Sequence, residues 1–174
     1  MKNATEIVEL ISQRTKHIGA ITPKFELNIN ADLKSLLLDE IVSDFGWLWH
    51  EKIITPELLA DWFTQDELSD AGIFVKGSHE TGLAKIIACG NAIVKSFIPE
   101  SSICYNDSKV ISFGGVHRAY DLSTVELQEE GVIYAYNHST AITKKGESVI
   151  FQHDQSSVDA HKKTVVIRSL KSND

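Results

Sequence analysis

Small and apolar side chains recur at intervals of about eight residues from Ala84 to the C-terminus. In most units the third and fifth residues are small or apolar, and the last two are often turn-forming residues, as in Asn106-Asp107. Because alternate side chains of a strand share a face, positions one, three and five point the same way. The pattern predicts about six residues of strand and about two of turn per unit. The units begin at Ala84, Ala92, Glu100, Ser108, Gly115, Ser123, Gly131, Ser139, Glu147, Ser156 and Thr164.

Two intervals depart from the period. Seven residues separate Ser108 from Gly115, and nine separate Glu147 from Ser156. In this alignment Val149 takes the third, inward position of its unit and Phe151 takes the fifth.

The constant phase of the units favours one topology. In an antiparallel meander the small residues would change faces at every strand, and no continuous core would form. In a parallel solenoid like positions stack from coil to coil, and the third position always points inward. We therefore predict a mainly β fold, a parallel β-solenoid. Two units per coil are favoured over three because small inward residues suit a thin coil. Eleven units would make five and a half coils, about 26 Å long at about 4.8 Å per coil.

Aromatic residues at the sixth position form two predicted columns. With two units per coil, Tyr105, Tyr120 and Tyr136 stack on one sheet, and Phe97 and Phe113 stack on the other. Such columns stabilise a parallel stack by ring-on-ring contact. Rows of exposed rings also bind flat surfaces of partner molecules, so these five residues form the candidate binding face.

Helical patterns dominate residues 1–75. Apolar residues at helical spacing predict helices over residues 5–16 and 31–45. Thr55 is placed to cap a further short helix, and the spacing Thr64-x-x-Glu67 predicts a capping box.

The chain is predicted to have two domains. Residues 1–75 form an acidic helical domain, and residues 76–174 form the octapeptide-repeat β-solenoid. The open end of a solenoid exposes unpaired strand edges, so the helical domain is interpreted as a cap.

The negative charge is concentrated in the first domain. Residues 1–75 contain 6 basic and 13 acidic residues, a net charge of −7, whereas residues 76–174 contain 11 of each. This argues against direct nucleic-acid binding. The acidic surface is either simply solvated, or it imitates nucleic acid and attracts a basic protein.

The composition indicates the cellular compartment of the protein. No apolar run reaches the ~20 residues of a membrane helix, so we expect no membrane partner. The first residues carry acids within their apolar pattern, unlike a secretory signal. Cys89 at an outward position and Cys104 at an inward one are not expected to pair. Free thiols without a signal indicate the cytoplasm.

The turn residues include the candidate metal ligands. In the predicted stacking Asp107, His138 and Asp154 share one turn column, beside His153. Imidazole and carboxylate groups bind metals, but stacked polar side chains more often satisfy the backbone of turns. Phosphate-loop, nucleophile-elbow and dinucleotide motifs are absent from the sequence. We therefore expect no metal, no cofactor and no catalytic residues.

The units resemble a repeat found in uncharacterised proteins of phages, prophages and bacterial mobile elements, which reads close to S/N-A-T-V-x-A-Y-G/D. The pattern is clearest in residues 91–97, 123–125 and 132–137, and the likeness extends over about residues 55–168. Ser102 and His117 depart from it by replacing the inward valine. The resemblance implies a solenoid and a mobile-element origin, and it implies no activity.

Three functions follow as hypotheses. The first is a non-enzymatic binding or scaffold protein that presents flat solenoid faces to a protein or other macromolecule, with a homodimer as an extension. The second is an inhibitor whose acidic N-terminal domain blocks a nucleic-acid-binding protein. The third is a metal-dependent enzyme that uses the turn column.

Overall fold

A computed structural model describes residues 2–17 and 33–169. The chain separates into two compact units, one ending at Ala71 and the other beginning at Gly72. The second unit starts a few residues before the predicted boundary, because the first strand of the solenoid begins at Ile73. No helix among the described residues is long and apolar enough to cross a membrane.

The described part of the first unit contains five helices. Their bounds are α1 Ala4–His17, α2 Leu33–Ser43, α3 Phe45–His50, α4 Pro56–Trp62 and α5 Gln65–Asp70. The helix predicted over residues 31–45 ends at Ser43, and α3 follows after Asp44. Residues 31 and 32 lie outside the described residues. The apolar stripes of these helices supply buried residues such as Ile11, Leu37 and Trp62.

Both predicted helix caps are confirmed. The Thr55 hydroxyl accepts the N–H of Leu58 at 3.4 Å at the start of α4. At α5 the Glu67 N–H donates to Thr64 Oγ1 at 3.1 Å, and the Thr64 N–H donates to Glu67 Oε2 at 2.7 Å. These bonds satisfy backbone donors that the first turn of a helix leaves unpaired.

The second unit is a parallel β-solenoid with two strands per coil, as predicted. Sheet A has the order β1-β3-β5-β7-β9-β11-β13, sheet B has the order β12-β10-β8-β6-β4-β2, and all pairs are parallel. The strands are β1 Ile73–Phe74, β2 Ser78–Thr81, β3 Lys85–Ala88, β4 Ile93–Ser96, β5 Ser101–Cys104, β6 Lys109–Ser112, β7 Val116–Ala119, β8 Thr124–Leu127, β9 Gly131–Ala135, β10 Thr140–Thr143, β11 Ser148–Gln152, β12 Ser157–Asp159 and β13 Val165–Arg168.

Like positions stack from coil to coil and form a thin core. In sheet A, Ala88, Cys104, Ala119 and Ala135 are direct partners in successive strands. In sheet B, Val94 pairs with Val110, which pairs with Val125. All of these residues are fully buried. Mostly small side chains from the two sheets therefore fill the narrow interior, together with a few larger ones such as Leu127 and Ile133.

The predicted position of the nine-residue interval is wrong. Ile150 pairs with Ile133 and is fully buried, whereas Val149 and Phe151 point outward. The longer step therefore separates Ser139 from Ser148. The extra residue is accommodated in the turn before β11, where Gly146 adopts a φ of 75°.

Cys89, at an outward position of the repeat, is nevertheless withdrawn from solvent. Both Cys89 and Cys104 are fully buried, and neither forms a disulfide. Burial raises the pKa of the Cys104 thiol to about 12, so this thiol stays protonated at physiological pH.

Candidate binding faces

The predicted tyrosine column exists and contains a fourth ring. Ring centroids lie 5.1 Å apart between Tyr105 and Tyr120, 4.9 Å between Tyr120 and Tyr136, and 4.6 Å between Tyr136 and His153. The interplanar angles are 11° or less. We call these four residues the ring ladder. They lie at the start of the turns that leave the strands of sheet A. His153 joins it because β11 is shifted by one residue from the predicted alignment.

The tyrosines of the ladder are partly withdrawn from solvent. Tyr105 is buried, and Tyr120 and Tyr136 are half-buried. Burial raises the pKa of Tyr105 above its ordinary value, and burial together with the neighbouring Tyr136 raises that of Tyr120. The ladder thus offers neutral phenols and ring edges, while its ring faces are used in stacking.

Phe97 and Phe113 stack on the turn after sheet B, also as predicted. Their centroids are 5.8 Å apart with an interplanar angle of 23°. Phe97 is 46% exposed, and its neighbour Ile98 is 74% exposed. The Lys95 ammonium lies 4.8 Å from the centre of the Phe97 ring. This pair is therefore more accessible than the ring ladder.

The four candidate metal ligands are not brought together in the predicted column. His153 belongs to the ring ladder, and Asp154 lies one position further along the turn. Asp107 and His138 occupy the following position, in coils that are two apart. At about 4.8 Å per coil their backbones are separated by roughly 10 Å. No group of three or more His, Cys, Asp or Glu side chains in the described ranges could hold a metal ion.

Asparagine and aspartate in these turns bind backbone instead. The Gly90 N–H donates to Asn106 Oδ1, the Asn106 N–H to Asp121 Oδ2, and the Asn137 N–H to Asp154 Oδ2, each at 3.2 Å. Four residues of these turns have φ between 52° and 58°, a left-handed conformation that short polar side chains tolerate. They are Asn106, Asp121, Asn137 and Asp154. The polar side chains of these turns therefore stabilise the coils by binding the turn backbone, which was the alternative to a metal site.

A buried polar cluster interrupts the apolar core. The His117 Nδ1 lies 2.7 Å from Ser102 Oγ, and its Nε2 lies 2.6 Å from the carbonyl oxygen of Gly114. Because a carbonyl only accepts, Nε2 carries the proton and Nδ1 accepts the Ser102 hydroxyl. Ser102 and His117 are at most 1% exposed. This serine–histidine pair resembles a nucleophile with its base, but a substrate cannot reach it.

The outer surface of sheet A is mostly apolar from β7 to β13, with Arg118 as its charged residue, and the sequence interpretation missed this surface. Two outward columns cross it, and we call them together face A. The valine column is Val116, Val132, Val149 and Val165, and the bulky column is Ile103, Arg118, Tyr134, Phe151 and Ile167. Val165 and Ile167 are 56% and 46% exposed, and the middle of the face is half-buried by its own neighbours.

Stacking contacts also order the bulky column. The rings of Tyr134 and Phe151 lie 4.6 Å apart with an interplanar angle of 6°. The Arg118 guanidinium lies 5.5 Å from the centre of the Tyr134 ring. Such contacts hold the side chains in a regular row. Face A is therefore a flat, preorganised apolar surface.

The outer surface of sheet B, which we call face B, is polar. Its two columns contain Ser78, Ile93, Lys109, Thr124, Thr140 and Ser157, and Glu80, Lys95, Ile111, Glu126, Ile142 and Asp159. Lys109 Nζ lies 2.7 Å from Glu126 Oε2, and this contact lowers the pKa of Glu126. Lys95 Nζ lies 3.1 Å from Glu80 Oε1. The two faces of one solenoid thus differ in chemistry.

A pocket in the first unit lies between α2 and α5. It has a volume of about 300 Å³ and is lined by Lys34, Ser35, Leu38, Asp39, Glu67, Asp70 and Ala71. Burial acts to raise the pKa of Glu67, but the Thr64 N–H and the Lys34 ammonium outweigh it and lower the pKa. Glu67 is thus already engaged by the capping box and by Lys34.

No family model, curated protein or solved structure matches this chain.

Proposed function

We propose that this chain is a non-enzymatic binding or scaffold protein that holds a macromolecular partner against face A. The observation that supports this is the row of valines beside a row of isoleucine and aromatic side chains on an exposed flat sheet. Contiguous exposed apolar surface is costly in water and commonly marks an interaction site. Face B, built by the same repeat, shows that the fold does not require an apolar exterior.

The tyrosines predicted from the sequence as binding residues lie along one edge of face A. The turn that carries the ring ladder follows directly after the strands of sheet A, so Tyr120 and Tyr136 adjoin the bulky column. Tyrosine edges supply both apolar contact and a hydroxyl donor, a combination enriched at interfaces. Phe97 and Phe113 follow sheet B and belong to a separate, smaller patch.

Photo-cross-linking in the cells that naturally produce the protein tests the proposal. A benzoylphenylalanine in place of Phe151 keeps the phenylalanine ring and adds the reactive benzoyl group on face A. The same residue in place of Ile142 on face B is the matched control. We expect a discrete cross-linked product from position 151 and none from position 142. Equal yields from the two positions, or no product from either, would overturn the proposal.

The acidic composition of residues 1–75 supports a second candidate, an inhibitor that imitates nucleic acid and binds a basic protein. Leu36 on α2 is 38% exposed and provides a third cross-linking position. A salt-sensitive product with a basic protein from position 36, with none from position 151, would favour this candidate over the first.

The resemblance of the units to repeats of phage and mobile-element proteins leads us to include such an origin in the proposal. A cytoplasmic location is part of it as well, since two buried thiols without a disulfide suit a reducing compartment. Thiol-trapping of the protein from intact cells checks the second point, because oxidised cysteines would contradict it.

A further inference from the structure

The spacing of face A restricts what can pack against it. Its side chains form ridges that repeat with each coil, at about 4.8 Å. The ridges of an α-helix follow a pitch of about 5.4 Å, so a helix would lose alignment over several coils. A second parallel stack has the same spacing and stays aligned along its whole length. Periodicity therefore favours another solenoid surface as the occupant.

The two columns of face A are complementary to each other. In three successive strands a valine stands beside a larger side chain: Val132 beside Tyr134, Val149 beside Phe151, and Val165 beside Ile167. A twofold axis parallel to the solenoid axis reverses the strand direction and keeps each coil opposite its equivalent. The valine column of one copy then lies against the bulky column of the other, so that small side chains meet large ones. Such self-complementarity is the requirement for an isologous dimer.

We propose that the partner of face A is a second copy of this chain, paired about this axis. The inference rests on the proposed function and names the partner of the same face. The two layers would pack about 10 Å apart, as stacked sheets do.

The charge of Arg118 and the buried area of face A determine how strong the dimer is. Arg118 is the one charged side chain in these two columns from β5 to β13. Pairing places two copies of it near the axis, where they repel. Five strands at about 4.8 Å by five residues at about 3.3 Å give roughly 400 Å² per copy as a flat projection. Both copies together fall below the 1,200–2,000 Å² of stable complexes, so we expect a reversible dimer with a micromolar or weaker dissociation constant.

Sedimentation equilibrium of the full chain from about 1 to about 500 µM tests the dimer, since an interface of this size dissociates in that range. We expect reversible dimers of the wild type. Val149→Lys should weaken dimerisation at least about tenfold, because it buries a charge within the contact. The matched control Ile142→Lys on face B should leave it unchanged. Circular dichroism and thermal unfolding establish that both variants are folded.

Arg118→Met provides a variant that should gain affinity. It keeps the length of the side chain and removes the repulsion, so dimerisation should strengthen a few-fold and lose its salt dependence. A wild type that is monomeric throughout the range, equal weakening by the two lysine variants, or weaker association of Arg118→Met would each overturn the dimer.

Cross-linking of the purified protein tests the axis and separates this inference from the proposed function. Benzoylphenylalanine at position 151 should join strand β11 to strand β11 of the second copy, identified with mixed isotopic labels. Linkage to β7 instead would mean that the coil order is reversed, and it would overturn the proposed axis. If position 151 in cells cross-links a different macromolecule and the purified chain is monomeric, the dimer fails while the binding function stands. If position 151 cross-links nothing in either setting, both fail.

Discussion

At the scale of single residues, His117 shows how a polar side chain is retained in a core of small apolar ones. Its partners at the same position in the adjacent strands are Ser102 and Ile133. Both ring nitrogens have partners, so its burial leaves no polar atom unsatisfied. The charged form would be buried against two neutral partners, a hydroxyl and a carbonyl, which do not balance its charge. Burial accordingly lowers the pKa of His117 below the ordinary value of 6.5.

The lowered pKa predicts a loss of stability in mild acid. Below about pH 6.5 the unfolded chain binds a proton at this residue and the folded chain does not, so the free energy of unfolding falls as the pH falls. The fall should be at most about 1.4 kcal/mol per pH unit and should stop below the folded pKa. Urea unfolding of the wild type and of His117→Gln at pH 7.5 and about pH 5.5 measures it. The glutamine variant should show a shallower dependence, and equal slopes would contradict the assignment.

At the scale of elements, the corners of the coil decide which residues the repeat accepts. Gly115 adopts a φ of 93° at the turn before β7. A Cβ atom there would lie 2.5 Å from the Pro99 carbonyl oxygen and 2.9 Å from that of Glu100. Both obstacles are backbone of the coil below and cannot rotate away. The seven-residue interval of the sequence ends at this glycine because the chain turns more tightly here.

Gly115→Ala should therefore destabilise the solenoid by about 2 kcal/mol or more, through a strained φ and a steric clash. Gly82→Ala is the matched control, since its Cβ would meet no atom within 4 Å and its φ is unstrained. We expect its effect to stay within about 0.5 kcal/mol. Chemical denaturation of the two variants measures the difference, and similar losses for both would show that the corner can yield.

The ring ladder is the second element-scale feature, and its rings differ in how many neighbours they contact. Tyr120 stacks between two rings, whereas Phe97 has one ring neighbour and is 46% exposed. Tyr120→Ala should cost about 2–3 kcal/mol of stability, because it removes two ring contacts and buried area. Phe97→Ala should cost about 1 kcal/mol or less. Thermal unfolding checks the order of the two values, and a reversed order would mean that the ladder contributes little to folding.

At the scale of the whole molecule, each coil contacts mainly the coils before and after it. Every strand of the two sheets pairs in sequence order with strands one coil away. Stability is then close to a sum over coils and their interfaces, as in other repeat proteins. The repeat of the structure is a coil of about sixteen residues, because consecutive eight-residue units lie on different sheets.

Duplication experiments distinguish the coil from the unit. A second copy of residues 124–139 inserted after Ser139 adds a full coil, so the chain should fold with at least wild-type stability and more β-structure by circular dichroism. A second copy of residues 132–139 alone moves every later strand to the opposite sheet and separates His153 from the ring ladder. It should lower the melting temperature clearly. If both insertions are tolerated equally, the two sheets are interchangeable and the coil is not the repeating unit.

Much of this architecture was predictable because it depends on local rules. Alternation of side chains along each unit places Val94, Val110 and Val125 in the interior, regardless of which strands become neighbours. The inward residues keep the same position in each unit, and this excludes an antiparallel meander. The helix caps at Thr55 and Thr64 involve residues three apart, so they were also readable from the chain. The stacked tyrosines followed from counting two units per coil.

The remaining features depend on which strands become neighbours and on how each turn absorbs its residues. One residue added before β11 turned Ile150 inward and Phe151 outward, and spacing alone allowed either phase at that point. Face A emerged once alternate units were assigned to one sheet, because its valines are sixteen or seventeen residues apart. The sequence thus specified a stack with a small-residue interior through short-range alternation. The pairing of distant strands, which no local pattern encodes, placed most of the outward valine and aromatic side chains on one surface and most of the outward charged side chains on the other.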